Sequence, residues 1–102
     1  LHHFDNYKIA EAFARIECHY FINKGFFNSD NWIINNIYKI KDIPNILIQG
    51  RYDVVCPMVS AWELHRALPN ANFEVIKDAG HSMSEKGIAS KLIEYTDKFS
   101  DF

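Results

Sequence analysis

Cysteine is scarce in this chain: Cys18 and Cys56 are the only two in 102 residues. Two thiols make no disulfide framework, which turns the expectation away from a secreted scaffold and toward a reducing, cytoplasmic setting. Long hydrophobic runs are lacking as well. No apolar stretch approaches the roughly 20 residues that a bilayer crossing requires, and no membrane partner is expected. An excess of one charge is also missing. Eleven Lys and Arg against 13 Asp and Glu leave a formal net charge of −2, which gives nucleic acid no electrostatic footprint. Leu1-His2-His3 has no initiator Met and no basic region ahead of an apolar core, so no signal peptide is read there. The chain reads as the middle of something, with further sequence expected before Leu1. Internal repeats and low-complexity segments are absent.

What is present is ordinary for a folded protein: 48% hydrophobic and 24% charged residues, in a length that allows one domain or a piece of one. Aromatics at 15% fit either a dense core or a pocket lined with rings, and composition does not separate the two.

Apolar residues Ile9, Phe13, Ile16 and Tyr20 recur at steps of four, three and four, which predicts a helix from Tyr7 to about Ile22, stopped by Gly25. A second helix is expected from Asp30, a good N-cap, with Ile33, Ile37 and Ile40 at helical steps and Pro44 closing the region. The character then changes. Asn45–Gly50 (NILIQG) has the pattern of a strand buried on both faces. Pro57 to about Leu68 predicts a helix, Asn72–Lys77 a second strand, and Glu85–Phe99 a last helix with Ile88, Leu92, Tyr95 and Phe99 along one face. Strand, loop, helix, strand, loop, helix predicts an α/β arrangement of parallel strands joined by right-handed crossovers.

Ligands of open α/β sheets bind beyond the carboxyl ends of the strands. Both loops at those ends carry chemistry: Gly50-Arg51-Tyr52-Asp53 and Asp78-Ala79-Gly80-His81. On neighbouring strands, Asp53 could fix the tautomer of His81 and stabilise its imidazolium. The alternative is that Asp53 merely caps a turn and His81 starts the last helix. The order acid then histidine is the tail of the Ser…Asp…His order of α/β-hydrolases. Gly80-His81-Ser82-Met83-Ser84 imitates a G-x-S-x-G nucleophile elbow, but Ser84 replaces the last glycine and no histidine follows His81. Ser82 is therefore a decoy, and a nucleophile is expected upstream of Leu1. The chain alone is expected to be catalytically dead.

The stretch Ile46-Leu47-Ile48-Gln49-Gly50-Arg51-Tyr52-Asp53-Val54-Val55-Cys56-Pro57 resembles the acid-loop signature of proline iminopeptidases, serine peptidases that release an N-terminal proline. Ala61-Trp62-Glu63-Leu64, Pro69-x-Ala71 and Ala79-Gly80-His81-Ser82 follow at that family's distances. Upstream, Ala14-Arg15-Ile16-Glu17, His19-Tyr20-Phe21, Asn23 and Gly25-Phe26-Phe27 resemble the end of its helical cap. The resemblance implies that residues 1–43 end the cap and 44–102 end the hydrolase core, with the last two parallel strands and their helices. It implies that Asp53 and His81 are the triad acid and base, that Glu17 binds the substrate's amino terminus, and that Phe21 and Cys56 line the proline pocket. The family carries Asn where this chain has Cys18, about 100° around the helix from Glu17.

Glu17 lies four residues after Phe13 and four before Phe21, so the three share a helical stripe. By itself such a carboxylate is either a snorkelling surface group or a buried partner for a cation. The other conspicuous residues have plain readings. His2, His3, His19 and His65 lack metal-ligand spacing, Trp32 and Trp62 are packing residues, and Arg51 and Tyr52 support the acid loop. Neither metal nor cofactor is expected, and the partner is a peptide with N-terminal proline. Two rival readings stand beside this one: another capped α/β-hydrolase, such as an esterase or broader aminopeptidase, and a truncated product without catalysis. Two parallel strands without neighbours expose long pairing edges, so the isolated chain is expected to be unstable or aggregated.

Overall fold

The computed structural model describes residues 6–101; His2 and His3 lie outside the described residues. Helix α1 spans Tyr7–Ile22, a 3-10 turn Lys24–Phe26, and a short α2 Trp32–Asn35, followed by a second 3-10 turn Ile37–Lys39. Strand β1 is Ile46–Gly50, α3 is Met58–Ala67, β2 is Asn72–Ile76 and α4 is Lys86–Phe99. The chain forms two compact units, one ending at Trp32 and the other beginning at Ile33. Among the described residues no helix is long and apolar enough to cross a membrane.

In the first unit, the Asn6 side chain caps α1 by accepting from the Lys8 amide at 3.0 Å. At the other end the helix stops at Ile22, where the sequence reading put it, three residues before Gly25. Asn23 donates its side-chain amide to the His19 carbonyl at 2.8 Å, and Lys24, Gly25 and Phe26 follow with φ of 52°, 65° and 62°. Glycine enters this left-handed region freely, whereas Lys and Phe do so at a cost. The Phe26 ring offsets it by packing at 5.4 Å from both Tyr20 and His19. Phe27 stacks on Trp32 at 5.3 Å, as a packing role for that tryptophan requires. No residue of α1 is buried.

The segment from Asp30 to Pro44 corrects the sequence reading. Instead of one helix capped at Asp30, it holds the four residues of α2, then a break at Asn36 (φ −109°, ψ 11°) and the 3-10 turn. Asn31, Asn35 and Asn36 account for the break, because asparagine competes for backbone hydrogen bonds that the helix needs.

In the second unit β1 and β2 pair in parallel, from Ile46 opposite Asn72 to Gly50 opposite Ile76, with the crossover running through α3. The buried apolar residues Leu68, Ala71, Ala79, Ile88 and Tyr95 belong to this unit. Tyr95 is anchored by donating its hydroxyl to Glu74 of β2 at 2.8 Å. Strand β1 departs from the expectation of burial on both faces: Ile46 to Gln49 are half-buried and only Gly50 is buried. An apolar cavity of about 460 Å³ beside the strand, lined by Ile33, Ile34, Ile46, Ile48, Ala61 and Leu64, accounts for this. Among the described residues the sheet is two strands wide, so each strand keeps one unpaired edge.

Candidate active site

The two strands end at the same level, and their register sets the site. Past Gly50 and Ile76 the backbone keeps pairing: the Arg51 amide donates to the Ile76 carbonyl and the Tyr52 amide to the Ala79 carbonyl, both at 3.0 Å. Arg51 and Tyr52 thus support the acid loop through their backbone, joining it to the histidine loop. Gly50 permits that approach, because a Cβ there would run into the Gly80 carbonyl oxygen and stand 2.8 Å from that of Ala79.

Asp53 and His81 meet across this junction. The His81 Nδ1 lies 3.0 Å from Asp53 Oδ2 and 3.2 Å from Oδ1. Because the carboxylate only accepts, Nδ1 carries the proton and Nε2 is left as the basic nitrogen. Asp53 Oδ1 also accepts from the amides of Cys56 at 2.8 Å and Val55 at 3.0 Å. These bonds, the Cys56 amide foremost and then His81, hold the carboxyl below its ordinary pKa, against the opposing effect of burial. The acid side chain is 8% exposed and the imidazole 53%. Such a pair can take a proton at the open Nε2 while the enclosed carboxylate stabilises the cation. A cavity of about 390 Å³ adjoins it, with Ile48, Met83, Ile88 and Leu92 as its apolar wall.

A family model described as TAP-like protein, of the α/β-hydrolase type, matches residues 13–98. The chain belongs to this TAP-like α/β-hydrolase family. It is similar to a probable proline iminopeptidase of Leptolyngbya boryana, 60% identical over 92 residues, which are 90% of this chain and 29% of that protein. It is also similar to proline iminopeptidases of Arabidopsis thaliana, 53% identical over 89% of the chain and 24% of the relative, and of Xanthomonas citri, 46% over 89% and 29%. These relatives bear out the resemblance read from the sequence. The chain spans 24–29% of their lengths.

Within this TAP-like chain the remaining site residues divide between the units. Glu17 and Phe21 stand one turn apart on α1, both exposed, in the first unit. In the second unit Cys56 contributes its backbone to the acid, donating to Asp53 and accepting from the Gln49 side chain at 2.9 Å. The Ser82 hydroxyl is engaged locally, accepting from the Ser84 amide at 3.2 Å and bonded to the Ser84 hydroxyl at 2.7 Å, which suits a turn and not a nucleophile. His65 stacks on Phe73 at 5.0 Å. Among the described residues no group of three or more His, Cys, Asp or Glu could hold a metal ion.

Sequence reasoning missed two residues of the TAP-like site. Gln49 bridges the ends of the acid loop through the Cys56 carbonyl, and Glu85 accepts from the Gly80 amide at 2.8 Å. Neither belongs to a spacing pattern. Gln49 stood in the acid-loop string without an assigned role, a polar side chain inside an otherwise apolar strand.

Proposed function

We propose that this chain is the C-terminal part of a serine exopeptidase that releases N-terminal proline from peptides. Residues 1–43 are read as the end of a helical cap and 44–102 as the end of the hydrolase core. The observation that carries the proposal is the His81–Asp53 pair, closed at 3.0 Å beyond two parallel strands, in a chain 60% identical to a probable proline iminopeptidase.

In the complete protein a serine from the remaining sequence attacks the carbonyl of the terminal proline. His81 Nε2 takes the serine proton, and Asp53 stabilises the imidazolium. The same proton passes to the leaving amine, which frees the shortened peptide and leaves a prolyl ester on the serine. Water then attacks that ester with His81 again as base, releasing proline. Glu17 pairs with the protonated secondary amine of the substrate, since a buried ammonium needs an opposite charge. Phe21 on the first unit is read as an apolar face suited to the pyrrolidine ring, and Cys56 on the second is read as a substrate-binding residue on the resemblance alone. The setting is cytoplasmic, consistent with two free, exposed cysteines.

The test is turnover of proline and leucine arylamides by the complete protein. Strong preference for the proline compound is expected. Equal rates, or cleavage of esters alone, would overturn the proposal in favour of a broader aminopeptidase or an esterase.

A further inference from the structure

Glu85 stands at the N-cap position of α4, where a side-chain acceptor ordinarily serves the first amides of the helix. It makes no such bond, and the first turn of α4 contains no acidic residue. The half-buried carboxylate reaches backward instead, and its Oε2 accepts from the Gly80 amide at 2.8 Å. The Glu85 amide donates to the Ser82 carbonyl at 3.1 Å, so a turn over residues 82–85 lies inside the loop that the carboxylate closes at Gly80. Gly80 is also where the two site loops touch, its carbonyl lying against Gly50. His81 is the next residue.

We propose that Glu85 is a positioning residue: through Gly80 it sets the direction from which the His81 ring meets Asp53. The role rests on the proposed catalytic function of His81, but its geometric consequence does not need a substrate to be observed. What matters is an acceptor oxygen at the right reach, so glutamine should substitute and alanine should not.

The experiment uses the complete protein with Glu85→Ala and Glu85→Gln, read by the low-field proton resonance of the His81–Asp53 hydrogen bond and by turnover of a proline arylamide. The alanine variant should lose or broaden the resonance and drop kcat about tenfold or more with KM little changed. The glutamine variant should keep both within about twofold of the parent. An alanine variant with resonance and kcat intact, lowered only in melting temperature, would overturn the proposal. So would a glutamine variant as damaged as the alanine one. Should the alanine variant fail to fold, hydrogen exchange at Gly80 decides: protection in the parent and in Glu85→Gln supports the latch, and rapid exchange in either overturns it. A parent with the resonance but no prolyl activity would sink the peptidase reading and leave the role of Glu85 standing.

Discussion

The two units of this chain are ordered by different means. The unit ending at Trp32 is held by local bonds: a cap at Asn6, a left-handed turn, and rings gathered around Phe26 and Trp32. Its main helix buries nothing, and Ile9, Phe13, Ile16 and Tyr20 stand open to solvent. The unit beginning at Ile33 is held by long-range pairing and contains the buried residues Leu68, Ala71, Ala79, Ile88 and Tyr95. The contrast separates kinds of residue. In the second unit Asp53 and His81 are tied into the fold, so under the proposed function substitutions there should alter chemistry and stability together. In the first, Glu17 and Phe21 are exposed and carry little of the fold, so under the proposed function changing them should alter substrate binding alone.

The largest expected effect tests whether the pairing in the second unit suffices to hold the 102-residue chain. Purified as 102 residues, the chain should give no cooperative melt, because both strands keep an unpaired edge; a sharp melt of monomer would refute this. Next, Asp53→Asn in the complete protein should lower kcat by about four powers of ten through loss of the correct tautomer, as read by arylamide turnover. Glu17→Ala should lower kcat/KM on proline substrates about 100-fold with the melting temperature unmoved. A fall in stability of the Glu17 variant would break the comparison between the units. Gly50→Ala should destabilise the complete protein by about 1–3 kcal/mol in denaturant titrations, since the added methyl collides with the histidine loop. The smallest effect concerns pH. Asp53 has a depressed pKa in the fold, so its stabilising contribution is complete above the unfolded-state value and is lost as pH falls through the folded one. The difference in unfolding free energy between parent and Asp53→Asn should stay level from neutral pH down to the ordinary carboxylate range. It should close only below that range.

Much of this arrangement was legible from periodicity. Helices α1, α3 and α4 and both strands lie within a residue or two of where apolar spacing, Pro57 and Gly50 put them. The pairing of Asp53 with His81 followed from their position after successive strands. The segment after Asp30 was misread because its isoleucines keep helical spacing while its asparagines oppose the helix. Gln49 and Glu85 were invisible for another reason. Each acts from a side chain onto a backbone group five or seven residues away in its own loop, and such bonds depend on how that loop folds back and leave no trace in periodic spacing. The exposed face of α1 shows the reverse case: its stripe was easily read, yet amphipathicity alone gives no account of what it meets.

The carboxylate of Asp53 has one further consequence. With Oδ1 held by the Val55 and Cys56 amides and Oδ2 aimed at His81, its side-chain torsions are fixed before any substrate arrives. In the proposed peptidase the entropy of orienting the acid would therefore be lost once, during folding, and would not recur in each catalytic cycle. Rotational disorder at this one carboxylate would be felt as a barrier in every turnover, even with all the reacting groups present.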